Sequence, residues 1–181
     1  MRELETQRLK LRRITEDDIP AVFYGWASDP EVTKYLTWNP HRDIGETQFV
    51  FSIWLSEYGK DDTYRWGIER KEDGALMGMI DVVGYDDGAP VLGYCSAKKY
   101  WGSGYMTEAC KAVIDALFDG GYETILIEAV EENIGSNRVI EKCGFKFVGK
   151  ETKPASEMKP DEIMTINKYR IDKTSKDLTP N

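Results

Sequence analysis

Apolar positions along the chain change period several times, and each change marks an element. Leu9, Leu11 and Ile14 alternate, so residues 7–14 read as an opening strand. Thr15 then caps a short helix: Asp18 stands where a capping-box acid belongs, and Ile19, Val22, Phe23 and Trp26 follow at helical spacing. A second helix starts at Ser28-Asp29-Pro30-Glu31, with Val32, Tyr35 and Leu36 on its inner face. Asp43 and Glu46 cap a third, whose apolar side is Phe49, Val50, Ile53 and Trp54. After a loop at 60–63, Tyr64, Trp66 and Ile68 alternate, Lys71 to Gly74 turns, and Leu76 to Val83 runs extended, giving a hairpin. Val91 to Ala97 is the third strand of this antiparallel middle.

From Met106 to Phe118 the apolar residues fall at i, i+3, i+4 and i+7, the clearest helix in the chain, stopped by Gly120-Gly121. Thr124 to Val130 is apolar enough for a central strand. A helix over about 136–143 follows, ending at Gly144. Phe145–Val148 and Ile163–Ile171 are the last strands, with a polar linker containing Pro154 and Pro160 between them. The order predicts an α+β fold: a mixed, mostly antiparallel sheet of about seven strands with helices on both faces. Residues 1–172 form one domain and 173–181 a disordered tail.

Composition narrows the functions. The chain has 181 residues, a net charge of −8 and 41% hydrophobic residues, which argues for a filled core and against a binder of nucleic acid, whose phosphates require a basic surface. No run reaches the ~18 apolar residues of a membrane span, and the charged start is unlike a signal peptide. Cys95, Cys110 and Cys143 are odd in number and sit in apolar contexts, as reduced core thiols of a cytoplasmic protein do. His41 is the only histidine, so no metal site is expected. Trp38, Tyr64 and Trp66 fit either an acceptor groove or the core.

The chemistry concentrates in Lys99-Tyr-Trp-Gly-Ser-Gly-Tyr-Met-Thr-Glu108, a glycine turn between a strand and the best helix. Amides at a helix N-terminus attract anions, and Gly102 and Gly104 allow a phosphate close to the backbone. A second segment, Asn133-Ile-Gly-Ser-Asn-Arg-Val-Ile-Glu-Lys-Cys-Gly-Phe145, arrives one helix and one strand later. Together they resemble the two acetyl-CoA-binding motifs of the GNAT N-acetyltransferase superfamily, Gln/Arg-x-x-Gly-x-Gly/Ala followed by Asn-x-x-Ser/Ala and Gly-Phe. Lys99 stands where the pattern has Gln or Arg. Leu4 to Arg13, Ser28 to Leu36 and Gly93-Tyr94 are similar to the branch that acetylates ribosomal-protein N-termini.

The resemblance implies acetyl-CoA as cosubstrate, no metal, and transfer to a primary amine of a protein N-terminus or a small molecule such as an aminoglycoside or polyamine. A non-catalytic acyl-CoA-binding module is the alternative, and monomer and homodimer are both open. By the same resemblance, Cys95, Ser96 and Ala97 meet the pantetheine arm where two parallel strands part. Lys99, Trp101, Gly102, Ser103, Gly104, Tyr105, Met106 and Thr107 form the diphosphate cradle, and Asn133, Ser136, Asn137 and Arg138 complete cofactor binding. Glu128 is the candidate catalytic carboxylate, drawing the amine proton or binding the ammonium. Ser136 is the candidate thiolate acid and also a candidate helix cap, because Ile140 occupies the position where many relatives carry a proton-donating tyrosine.

Overall fold

The structure is a computed structural model and describes residues 1–60 and 62–173; the expected tail lies, but for its first residue, outside the described residues. Among the described residues, one eight-stranded sheet runs β1-β2-β3-β4-β5-β6-β8-β7. Its strands are β1 Leu4–Glu5, β2 Leu9–Arg12, β3 Arg65–Arg70, β4 Leu76–Asp86, β5 Ala89–Ser96, β6 Thr124–Val130, β7 Lys146–Ser156 and β8 Lys159–Asp172. Every pairing is antiparallel except β5 with β6. The eighth strand is the two-residue β1, too short to leave an alternation in the sequence.

The single parallel pair follows from helix α4, Tyr105–Asp119, which carries the chain back between β5 and β6. Ala109, Cys110, Val113, Ile114 and Leu117 of α4 are buried against Leu11, Ile68, Ile80, Leu92 and Ile127 of the sheet. Each fully buried Leu or Ile contributes roughly 1.5–3 kcal/mol. The opposite face is covered by α1 (Ile19–Val22), α2 (Pro30–Thr33) and α3 (Ile44–Glu57), through Ile19, Val22, Val32 and Phe51 packed with Met79.

Three expectations are corrected. The first helix is broken into a 3-10 turn at Glu16–Asp18, the single turn of α1 and a π turn at Phe23–Ala27, while α2 stops at Thr33, before Tyr35 and Leu36. The last helix, α5, is Ile134–Lys142, and its N-cap is Asn133, not Ser136. The polar stretch with Pro154 and Pro160 is strand: β7 and β8 pair to the tip, where Ser156 faces Lys159. Much of this hairpin is exposed, so no apolar alternation announces it, and a proline in the edge strand β7 costs no ladder bond it must keep. The tip is tied down by Lys159, whose buried Nζ donates to the Thr33 carbonyl at 3.1 Å, and by Ser156, whose hydroxyl donates to the Thr37 carbonyl.

Candidate functional site

A cleft of about 2150 Å³ crosses the sheet where β5 and β6 separate. The two strands pair only at Val91 with Leu126 and Leu92 with Ile127, and from Gly93 and Glu128 onward they diverge. Backbone groups facing such a gap require partners from outside the sheet. Cys95, Ser96, Glu128, Asn133, Ser136 and Arg138 all line the cleft. Ala97 does not: its side chain is buried in the α1–α3 core and its N–H donates to the Met77 carbonyl at 2.9 Å. The Ser96 carbonyl accepts from the indole of Trp101 at 3.0 Å, which folds that side chain back along the strand end.

At one end of the cleft the chain turns into α4 through Gly102 and Gly104, with φ of 74° and 78°. That left-handed backbone is cheap only for glycine. A Cβ at Gly102 would meet nothing within 4 Å, and one at Gly104 only Arg8 Nη2 at 3.6 Å. The hollow beside these glycines is therefore open space. The amides of Tyr105, Met106 and Thr107 are in the first turn, where helix geometry supplies no acceptor. Bare amides, the helix dipole and absent side chains fit a diphosphate. Lys99 is not in this lining: its Nζ rests over the Tyr100 ring at 4.9 Å. Ser103 is not in it either: its carbonyl accepts from Arg8 Nη1 at 3.1 Å.

Arg8 is a residue the sequence did not single out. Its Nε donates to Glu108 at 2.7 Å and its guanidinium lies 4.2 Å from the Tyr105 ring centroid, so a residue from the start of the sheet braces the glycine turn. Burial acts to raise the Glu108 carboxyl, but hydrogen bonds from Thr6 and from Arg8 outweigh it and leave it below its ordinary value.

The second motif divides its work differently from the expectation. Asn133 Oδ1 accepts the Ser136 N–H at 3.1 Å and caps α5. Asn137 is turned inward, not into the cleft: its amide donates to the carbonyls of Val130 and Asn133 at 2.9 and 2.8 Å, and its oxygen accepts from Tyr169 at 2.6 Å and Asn167 at 3.0 Å. With every polar atom engaged, it holds the β6–α5 turn in shape. Freed from capping, the Ser136 hydroxyl lies 3.0 Å from the hydroxyl of Tyr94 on β5. Burial pushes the Tyr94 phenol well above its ordinary value, so it stays protonated. A tyrosine hydroxyl is thus supplied beside the second motif by another strand, although position 140 holds isoleucine.

Glu128 and Asp81 are two of the carboxylates that line the cleft. Glu128 is well exposed, 3.4 Å from Lys153 and 3.9 Å from Lys168. Asp81, on β4, is mostly buried, and burial pushes it up to about 6 against the pull of Arg65. Its sequence signal was a lone charge inside the apolar run Leu76–Val83. Burial also pushes the Cys95 thiol up to about 12, Asp81 adding to the effect, which makes it a poor nucleophile. Trp38 and His41 line the cleft as well, while Trp66 is core. His41 sits in a loop, bonded through Nδ1 to the Thr47 hydroxyl at 2.8 Å.

Known proteins share this fold. Residues 8–146 match the family model of the acetyltransferase (GNAT) domain. The uncharacterized N-acetyltransferase YoaA of Bacillus subtilis (strain 168) is 30% identical over 149 residues, covering 81% of this chain and 84% of YoaA. Among solved structures, a GNAT-family acetyltransferase from Bacillus anthracis superposes with a TM-score of 0.82 at 22% identity, covering 94% of this chain and 98% of its own. RimL, a ribosomal L7/L12 alpha-N-protein acetyltransferase in complex with coenzyme A, does so with a TM-score of 0.82 at 17% identity and the same coverage. With a family match across most of the sheet and the cleft, the chain belongs to the GNAT acetyltransferase family.

Proposed function

We propose that the protein transfers the acetyl group of acetyl-CoA to a primary amine, and that the amine is a protein or peptide N-terminus. The observation that carries this reading is the parted β5–β6 pair leading to the bare glycine turn at the start of α4. The turn fits the diphosphate of coenzyme A, with Gly102, Gly104 and the amides of 105–107 as its holders. Gly93 to Ser96 and Arg138 are placed to meet the rest of the cofactor. The bound thioester supplies an activated acyl carbon with a thiolate leaving group. The Ser136 hydroxyl, held by Tyr94, is the proton donor for that sulfur. Glu128, exposed and shared between two lysines, suits a group that exchanges ion partners, and its role is to receive the incoming ammonium. An N-terminal acceptor is supported by the likeness to RimL.

Thiol release from acetyl-CoA, screened against N-terminal peptides, polyamines and aminoglycosides, tests the activity and acceptor class together. We expect peptides to be turned over. Glu128→Gln raises KM for the acceptor about tenfold, the loss of one charge-assisted hydrogen bond, and Ser136→Ala lowers kcat about tenfold or more. Turnover of polyamines alone would move the acceptor assignment, and binding without turnover of any amine would leave a cofactor-binding module.

A further inference from the structure

Asp81 is a carboxylate that neither motif contains. Its position follows from the sheet register: it pairs across the β4–β5 ladder with Gly93, the first residue of β5 beyond the last β5–β6 pair at Leu92. Strand alternation turns Asp81 to the side where Met79, two residues earlier, is packed with the α1–α3 core, and there it lines the cleft. Gly93 has no side chain, so β5 places nothing over the carboxyl from its register partner. The side chain is 19% exposed and lines the cleft beside the point where the strands part.

Charged and titratable neighbours come from three elements. From β3, Arg65 approaches with Nε 3.2 Å from Asp81 Oδ2, while its Nη1 donates to Glu57 of α3 at 2.8 Å. The guanidinium also lies 4.9 Å from the Trp54 ring centroid. Just beyond α3, Tyr58 donates its hydroxyl proton to the Arg65 carbonyl at 2.9 Å. The Cys95 thiol of β5 completes the set and stays protonated. One guanidinium is therefore shared by two carboxylates, and the shorter contact goes to Glu57. Asp81 is left with a long, single bond, partial neutralisation and a face on the cleft.

We propose that Asp81 is the proton acceptor of the transfer, meeting the acceptor's ammonium on the α3 side of the gap, with Arg65 as the positioning residue that holds it. The inference rests on the amine-acetylating reading above and separates two tasks: Glu128 receives the cation at the surface and Asp81 deprotonates it. The ammonium gives one proton to the Asp81 carboxylate, and the freed lone pair of nitrogen forms the bond to the acetyl carbon as the carbon–sulfur bond breaks with its electrons on sulfur. Nitrogen sheds two protons in all. One is balanced by the proton that the sulfur gains, and the other passes through Asp81 to solvent. An α-amine titrates near 8, so a base that is ionised at neutral pH and still holds a proton briefly is matched to it.

The test uses the whole chain. Titration of 13C-labelled aspartate carboxyls by NMR in the protein alone is expected to show one carboxyl at about 6, absent in Asp81→Asn. With acetyl-CoA and an N-terminal peptide, Asp81→Asn is expected to lose about 100-fold in kcat/KM at pH 7 while binding CoA with wild-type affinity by calorimetry, which shows that it is folded. That loss shrinks toward pH 9, where the peptide amine is already neutral. Arg65→Gln is expected to move the acid limb of the wild-type profile upward by about one pH unit, a displacement that a purely structural ion pair would not produce. Asp81→Asn within threefold of wild type at pH 7, a loss equal at all pH values, or an unmoved limb in Arg65→Gln overturns the assignment and leaves amine acetylation standing. A wild-type protein inactive toward every amine overturns both.

Discussion

Gly104 offers the sharpest separation of fold from binding. Its φ of 78° lies in the left-handed region, and so does that of Gly74, at 69° in the β3–β4 turn. A Cβ at Gly74 meets nothing within 4 Å, and one at Gly104 meets only the end of the Arg8 side chain at 3.6 Å, an ordinary contact. Alanine at either site therefore costs the same strain, about 1 kcal/mol. For a chain of this size that lowers the melting temperature by about 2–4 °C. The two variants should part company when CoA is added. At a ligand concentration of about 100 Kd, CoA stabilises the folded state by about 2.7 kcal/mol. In Gly104→Ala the new methyl stands in the hollow at the start of α4 and denies the diphosphate at least one amide, a charge-assisted bond of about 1.5–3 kcal/mol. Calorimetry should then give a Kd at least tenfold weaker than wild type, with a correspondingly smaller thermal shift, while Gly74→Ala binds normally. Equal affinities in both variants would refute the cradle as the diphosphate site.

Two further outcomes concern stability. Asn137→Ala removes the acceptor of Tyr169 and Asn167 and the donor to Val130 and Asn133, so denaturant unfolding should show a loss of about 3 kcal/mol with an unchanged m-value. A loss below about 0.5 kcal/mol would show that the β6–α5 turn does not depend on it. Asp81 is raised in the fold from 3.8 to about 6, so the folded state binds more protons between those values. Its contribution to stability is fully present below the unfolded value and is lost as pH rises through about 6, at most about 3 kcal/mol in all. Asp81→Asn should accordingly gain stability relative to wild type between pH 4 and 7, read by urea midpoints, and a parallel pH dependence of the two proteins would contradict the buried carboxylate.

Much of the site was legible because its signals are local. Gly102 and Gly104 announce a backbone that other residues adopt at a cost, and the 3.6-residue period of Met106 to Phe118 fixes which side of α4 meets the sheet. The motif Asn133 to Ser136 also marked the second half of the cleft, but the division of labour within it did not follow. Asn133 caps because the helix starts two residues earlier than periodicity indicated, and Asn137 is consumed by Tyr169 and Asn167, thirty residues further on. The β7–β8 hairpin was missed beyond its base because it projects past the core, where polar residues and prolines meet no penalty that would shape the sequence.

The sequence by itself determined the order of elements, the mixed sheet with helices on both faces, and the glycine turn before α4, since each depends on residues within a few positions of one another. Only the tertiary structure decided which distant side chains share the cleft. Arg8 reaches the α4 turn across 95 residues of chain, Tyr94 meets Ser136 across 42, and Asp81 faces the gap because β4 registers it against Gly93. Those meetings are set by strand register and by the parting of one parallel pair, and a one-residue slip in either would turn the same side chains to the other face.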